Sequence, residues 1–483
     1  MESLAEVDGS WIAALVGGFS FFAAAATSAH AILRKLDSRS AVAWVGLIWL
    51  LPLIGPTLYL LLGINRIRRR AIELRGGVPQ YGRGTRLRDF ASRRTTRRVP
   101  EALRSLHQLS DRVSQQPLLE GNEVIPLFNG DEAYPRMLAA IAAARSSITL
   151  STYIFGNDVI GRRFVAELAA AVQRGVQVRV LIDAVGVRYS FPTILWRLRR
   201  QGIPFALFMP TRLPRAMPFF NLRNHRKILV VDGQCGFAGG MNIAAGNQLK
   251  DEPAHPVRDL HFEWRGPVVS ELQAVFAEDW AFARRERLVG PVWFPRPVTP
   301  GKTLARVVVD GPDERYDVLR RLLIGALSVA RTRICIQTPY FLPDATLQDT
   351  LITAAMRGVR VEVMLPGKNN LALVDWASRA QLANLIRWGV RVFFSPPPFD
   401  HSKLFTVDDG WCLVGSANWD PRSLALNFEC NVECYDRDLA EAMVRFFDVR
   451  LAQSQQWRLA DIERTPWLIQ LRNGLARLFS PYL

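Results

Sequence analysis

The sequence predicts an α/β protein of two repeated lobes forming one unit, preceded by an N-terminal transmembrane helical hairpin. Three observations lead there. Residues 9–33 and 40–65 contain no Asp, Glu, Lys or Arg; a strand, helix, strand pattern occurs twice in the remainder; and one set of His, Lys, Asp and Asn recurs at equivalent places in both copies.

Each uncharged stretch is long enough to cross a bilayer core as a helix, at about residues 11–33 and 41–63. A cleaved signal peptide is disfavoured, because the leader carries Glu2, Glu6 and Asp8 and no basic residue. The second stretch, AVAWVGLIWLLPLIGPTLYLLLG, mixes Trp and Tyr with aliphatics and contains prolines of the kind lipid-embedded helices tolerate. A hairpin puts both of its flanks on one side. From Arg66 to Arg104 arginines far outnumber Glu73, Asp89 and Glu101, which places this flank and the following lobes in the cytoplasm. The connector, with Arg34, Lys35 and Arg39 against Asp37, argues the other way with fewer charges. Residues 66–105 read as a basic linker; beside anionic headgroups each of its cations is worth about 1 kcal/mol.

With 483 residues, 49% hydrophobic and 22% charged, the chain exceeds one ordinary domain and is too apolar to be disordered. Its net charge of +17 calls for something anionic: nucleic acid, a lipid surface or a phosphorylated substrate. Cys235, Cys335, Cys412, Cys430 and Cys434 are odd in number, lie in apolar runs and lack metal-site spacing, as buried free thiols do.

The repeat is visible when ITLSTYIF (148–155) is laid over ICIQTPYF (334–341), and RGVQVRVLIDA (174–184) over RGVRVEVMLPG (357–367). Further on, HRKILVVDGQCGFAGGMN (225–242) parallels HSKLFTVDDGWCLVGSAN (401–418), each a strand pair around an Asp-Gly turn. The first lobe is assigned to residues 106–300 and the second to 301–483, meeting near the Pro-rich PVWFPRPVTPGK.

Each copy has the same polar set: His225, Lys227, Asp232 and Asn242, then His401, Lys403, Asp408 and Asn418. On a strand, residues two apart share a face, so each His and Lys converge, and the Asn comes from the partner strand. Such a face offers a nucleophilic imidazole, a compact cation and a neutral donor, suited to attacking a phosphorus and holding its oxygens. With two copies, one imidazole attacks while the other protonates the leaving oxygen. Chance does not explain the pattern. The chain has six histidines and only six lysines among its 61 Lys and Arg, so Lys two after a given His has odds of roughly one in a hundred. The other histidines, His30, His107, His255 and His261, show no ligand spacing, so no metal is expected.

These residues are the HKD signature of the phospholipase D superfamily, which the chain resembles from residue 120 to its end. The resemblance implies two phospholipase D-type lobes forming one catalytic unit. It makes His225 the nucleophile and His401 the general acid and base, with Lys227, Lys403, Asn242 and Asn418 on the phosphate. It makes Asp232 and Asp408 supports of turn and strand, and gives Asp259 and Glu429, which align with each other, the role of positioning an imidazole. The N-terminal apolar pair, the QTPYFLPD run and the closing RNGLARLFSPYL further resemble bacterial cardiolipin synthases. That family implies an inner-membrane phosphatidyltransferase turning two phosphatidylglycerols into cardiolipin and glycerol, without nucleotide, metal or other cofactor. The alternatives are a phospholipase D or a transferase to another alcohol, and then a membrane-tethered nuclease. Nucleic acid is not the expected partner, since much of the excess charge lies in the linker and no aromatic stacking platform is evident.

In residues 467–479, WLIQLRNGLARLF, apolar residues recur at helical spacing on one face. Two readings stay open: a helix packed on the second lobe, or one lying in the membrane interface.

Overall fold

The computed structural model describes residues 9–35, 38–63, 90–91, 97–210, 222–312 and 317–480. Most of the basic stretch 66–105 lies outside them. Two compact units are present, residues 1–70 and 71–483.

In the first unit a helix runs from Gly9 to Arg34, and its portion Ala13–Arg34 is long and apolar enough to cross a membrane. The second apolar stretch is not the single helix expected at 41–63. Helix Ser38–Leu50 ends at a turn where Leu53 has φ 65°, and the chain resumes as Ile54–Leu58 and a wider turn, Tyr59–Gly63. Pro52 lacks the N–H a continuing helix needs, and a proline disfavours the α region for the residue before it. The chain then doubles back: a Cβ on Gly55 would come within 2.4 Å of the Leu47 carbonyl oxygen, so only glycine permits this approach. Tyr59 Oη lies 2.8 Å from His30 Nδ1, and its ring is 5.3 Å from that of Trp44. Thus the stretch leaves the connector end, turns, and returns to it. Its 13-residue first leg, about 20 Å long, falls short of a bilayer core of about 30 Å.

In the second unit the first copy contributes β1 (Leu119–Phe128), β2 (Ser147–Thr152), β3 (Gln177–Asp183), β4 (Phe205–Phe208), β5 (Arg223–Asn224), β6 (Ile228–Val231), β7 (Cys235–Gly239), β8 (Val257–Arg258) and β9 (Leu260–Arg265). The second contributes β10 (Thr303–Asp310), β11 (Arg333–Gln337), β12 (Arg360–Pro366), β13 (Arg391–Ser395), β14 (Phe399–Asp400), β15 (Leu404–Val407), β16 (Trp411–Gly415), β17 (Asn427–Tyr435) and β18 (Gln455–Trp457). The strand order is β4–β3–β2–β6–β7–β9–β1 in the first copy and β10–β17–β16–β15–β11–β12–β13–β18 in the second. Antiparallel pairing of β1 with β10 makes one continuous sheet, its halves mirrored about that seam.

The repeated sequences account for the repeated crossovers. Asp158 and Asp344 cap the helices Val159–Gln173 and Ala345–Met356, each accepting a backbone N–H three residues on. Both helices stop at an Arg-Gly pair whose glycines, Gly175 and Gly358, have φ of 83° and 87°. A parallel strand follows each, buried on nearly every side chain. Residues of both copies share one core, among them Phe262, Trp264, Val307, Cys412 and Val432. All five cysteines are free thiols, four of them buried.

Candidate active site

His225 and His401 are not on ladder-paired strands, as the sequence suggested. Each sits in an extended connection, His225 between β5 and β6 and His401 between β14 and β15. What fixes that connection is the opposite copy. β5 pairs with β17 and the His225 N–H donates to the Phe428 carbonyl at 3.0 Å; β14 pairs with β8 and the His401 N–H donates to the Arg258 carbonyl at 2.8 Å.

The residue after each of those carbonyls is an acid, so the imidazole–carboxylate pairs are crossed between copies. His225 Nδ1 lies 3.0 and 3.1 Å from the Glu429 oxygens, and His401 Nδ1 lies 2.8 Å from Asp259 Oδ2. An Nδ1–H donated to a carboxylate leaves Nε2 with its lone pair for chemistry. Glu429, fully buried, also accepts from the Ser416 hydroxyl and from Asn427 Nδ2. Burial pushes its carboxyl up, but His225, Lys227 and Ser416 together hold it below the usual range. Asp259 has less support: burial raises it to about 6, against the pull of Lys403 and the Leu260 N–H.

Both lysines are buried, and each ammonium donates to the carbonyl of its own motif histidine. Burial lowers Lys227 to about 7 and Lys403 to about 8; each lysine feels both Glu429 and Asp259. Burial likewise lowers both imidazoles, His401 well below its ordinary value with Lys403 and Lys227 adding to the effect. Asn242 and Asn418 lie just past the ends of β7 and β16 and line the same cleft. The Asn242 oxygen accepts from the Ile154 N–H at 3.1 Å, which leaves its amide NH2 as a donor.

Asp232 and Asp408 stand apart from this cluster, at the other ends of β6 and β15, and are not in contact with the imidazoles. Asp232 accepts the backbone N–H groups of Arg145, Ser146 and Ser147 at 2.7–3.2 Å; Asp408 does the same for Arg331, Thr332 and Arg333. They lock each hairpin turn to the start of the neighbouring strand.

Several residues of the site had no assigned role in the sequence. Tyr153 packs edge-on to His225 at 5.4 Å and Tyr340 to His401 at 6.4 Å, at equivalent places in the repeat. Arg223 and Arg422 line the cleft beside them. The cleft holds about 1170 Å³, more than a typical small-molecule pocket of roughly 300–1,000 Å³. Among the described residues no group of three or more His, Cys, Asp or Glu is disposed to hold a metal ion.

A family model described as "Cardiolipin synthase, PLD-like domain" matches residues 137–280 and 323–451, and one described as "Phospholipase_D-nuclease N-terminal" matches residues 23–63. A cardiolipin synthase of Geobacillus kaustophilus (strain HTA426) is 31% identical over 99% of this chain and 97% of its own length. The major cardiolipin synthase ClsA of Bacillus subtilis (strain 168) is also 31% identical, over 93% of this chain and 95% of its own. Phosphatidylserine synthase of Haemophilus influenzae Rd KW20 shares the fold, with a TM-score of 0.60 at 14% identity over 78% of this chain and 100% of that one. With the apolar helix Ala13–Arg34, these relatives place the chain among membrane-associated proteins. Matched through both copies and along nearly its whole length, the chain belongs to the cardiolipin synthase family, phosphatidyltransferases of the phospholipase D superfamily.

Proposed function

We propose that the chain joins two phosphatidylglycerols into cardiolipin and glycerol by two displacements at one phosphorus, with a phosphohistidine between them. The observation that carries this is the pair of imidazoles on one cleft, each backed by a buried carboxylate and flanked by a buried lysine. His225 Nε2 attacks the phosphorus of the first lipid, the bond to the headgroup glycerol breaks, and the departing oxygen takes a proton from His401. The terminal hydroxyl of the second lipid then gives its proton to His401 as its oxygen attacks, and the phosphorus–nitrogen bond breaks. One phosphodiester is lost and one formed, so no nucleotide is consumed. Lys227, Lys403, Asn242 and Asn418 hold the non-bridging oxygens.

Electrostatics supports the assignment of roles. Glu429 is the better-supported carboxylate, and it backs the imidazole that becomes cationic on attack. His401 must be protonated to act first as an acid. A phosphodiester between the lysines offsets their charge, and Asp259 at 2.8 Å stabilises the imidazolium.

In this reading the catalytic unit lies on the cytoplasmic side of a bacterial inner membrane. Helix Gly9–Arg34 crosses the bilayer, and residues 38–63 re-enter and leave on the connector side. Arg34, Lys35, Arg39 and the arginines of 66–104 then share one face, and Glu2, Glu6 and Asp8 the other.

The test is purified protein with phosphatidylglycerol alone, the lipid products being identified. Cardiolipin with equimolar glycerol is expected; phosphatidic acid as the sole product would overturn the transferase reading. Denaturant quenching with labelled lipid should trap an acid-labile adduct on the wild type and none on His225→Ala. An adduct persisting there would move the nucleophile to His401.

A further inference from the structure

The helix Trp467–Leu478 has its apolar stripe turned the wrong way for a core helix. Trp467 and Leu478 are each 69% exposed, Leu468 60%, Leu475 52% and Leu471 51%. The residues that face the protein are Asn473 and Ala476, packed on the helix Ala372–Arg387, while the Arg472 guanidinium stacks on Trp376 at 4.3 Å. The helix carries two arginines and no acid. Small residues thus hold it to the protein and its large apolar side chains are offered outward, the pattern of a helix lying in a membrane interface.

Its surroundings say what covers it. The helix it rests on begins at the cleft: Leu371 and Leu373, 46% and 41% exposed, line the second-copy rim near His401. On the first-copy side Tyr189 lines the cleft and is 67% exposed, and Phe191, two residues on, is 99% exposed. A protein seated on both rims would close the opening, whereas a bilayer covering them supplies the substrate.

We propose that these two rims, with the C-terminal helix as the larger part, form a docking surface that seats the cleft mouth on an anionic lipid bilayer. The inference rests on the reading of a membrane phospholipid as substrate. The substrate then reaches the imidazoles by sliding its headgroup into the cleft while its acyl chains stay in the bilayer.

The test uses the full-length protein in vesicles of phosphatidylglycerol and phosphatidylcholine. Leu471→Cys and Leu475→Cys carry an environment-sensitive fluorophore, with unsubstituted protein measuring background from the native, largely buried thiols. Asp409→Cys is the control, on the turn at the other end of β15 from His401. Blue-shifted emission quenched by nitroxide lipids at 471 and 475, but not at 409, is expected. Water-like emission at 471 and 475 overturns the proposal, as does shielding that persists in detergent with a doubled mass, which would mark a second copy as the occupant. The double substitution Leu471→Glu, Leu475→Glu should reduce turnover of bilayer phosphatidylglycerol by about tenfold or more and of dispersed short-chain lipid by less than about twofold. Equal losses on both substrates overturn it. Wild type that makes no cardiolipin would refute the proposed function, while the fluorophores would still decide the docking.

Discussion

The crossed pairing of imidazoles and carboxylates makes Glu429→Gln the most informative substitution. Gln keeps the shape of Glu and removes the charge. In the wild type that carboxylate accepts from His225, Ser416 and Asn427. An amide oxygen cannot serve all three, and the amide nitrogen can only donate. His225 therefore loses a charge-assisted hydrogen bond, worth about 1.5–3 kcal/mol. It loses it when attack on phosphorus makes the ring cationic, so formation of the phosphatidyl adduct should slow about 10- to 150-fold. Asp259→Asn should act on His401, 142 residues away, and so on proton transfer. A donor lipid with a p-nitrophenyl leaving group separates the two, since nitrophenolate departs without a proton. Rapid-quench measurement of nitrophenolate release should show near-normal rates in Asp259→Asn and the full defect in Glu429→Gln. The reverse pattern, with Asp259→Asn slowing release and Glu429→Gln not, would refute the crossed assignment.

Three further outcomes follow from the site. The kcat/KM for phosphatidylglycerol should be bell-shaped with pH: Asp259, raised to about 6, holds its charge only above that value, and Lys227 and Lys403, lowered to about 7 and about 8, hold theirs only below. A profile flat to about pH 10 would show that both lysines keep their ordinary value in the free enzyme, and would refute the lowering by burial. Added glycerol should suppress net synthesis and regenerate phosphatidylglycerol from labelled cardiolipin, because the exchange conserves phosphodiesters; labelled cardiolipin unchanged by glycerol would contradict that. Asp232→Ala removes the acceptor of three backbone N–H groups and should cost about 2–4 kcal/mol, seen as a lower Tm, with kcat of the folded fraction within about twofold. An unchanged Tm with collapsed kcat would put Asp232 in the chemistry.

The motif was legible because lysine is scarce here and recurs two places after two of the six histidines. The strand and helix alternation was legible because caps and stops repeat along with it, Asp158 with Asp344 and Gly175 with Gly358. The crossing of the acids was not. Aligning the copies places Asp259 opposite Glu429, but which imidazole each serves is set by β5 on β17 and β8 on β14, two-residue pairings too short to leave a periodicity. The prolines of the second apolar stretch are compatible with a single lipid-embedded helix, and nothing in the sequence says that Leu53 and Gly55 turn the chain back on itself. The stripe of the C-terminal helix was visible in its spacing, but spacing does not say which face meets the protein; Asn473 and Ala476 decide that.

The reciprocity of the site also bears on how far its two halves can differ. Each copy lends the other a backbone anchor and a carboxylate, the exchange two identical protomers make about a twofold axis, where residue i touches j and j touches i. Within one chain the two copies are thus arranged as two protomers would be across such an axis. Carrying both halves on one polypeptide lifts the constraint that they have the same side chains. The differences between the copies, Gly240 against Ser416 and Asp259 against Glu429, are the freedom a homodimer lacks, and the proposed division between attack and proton transfer draws on them.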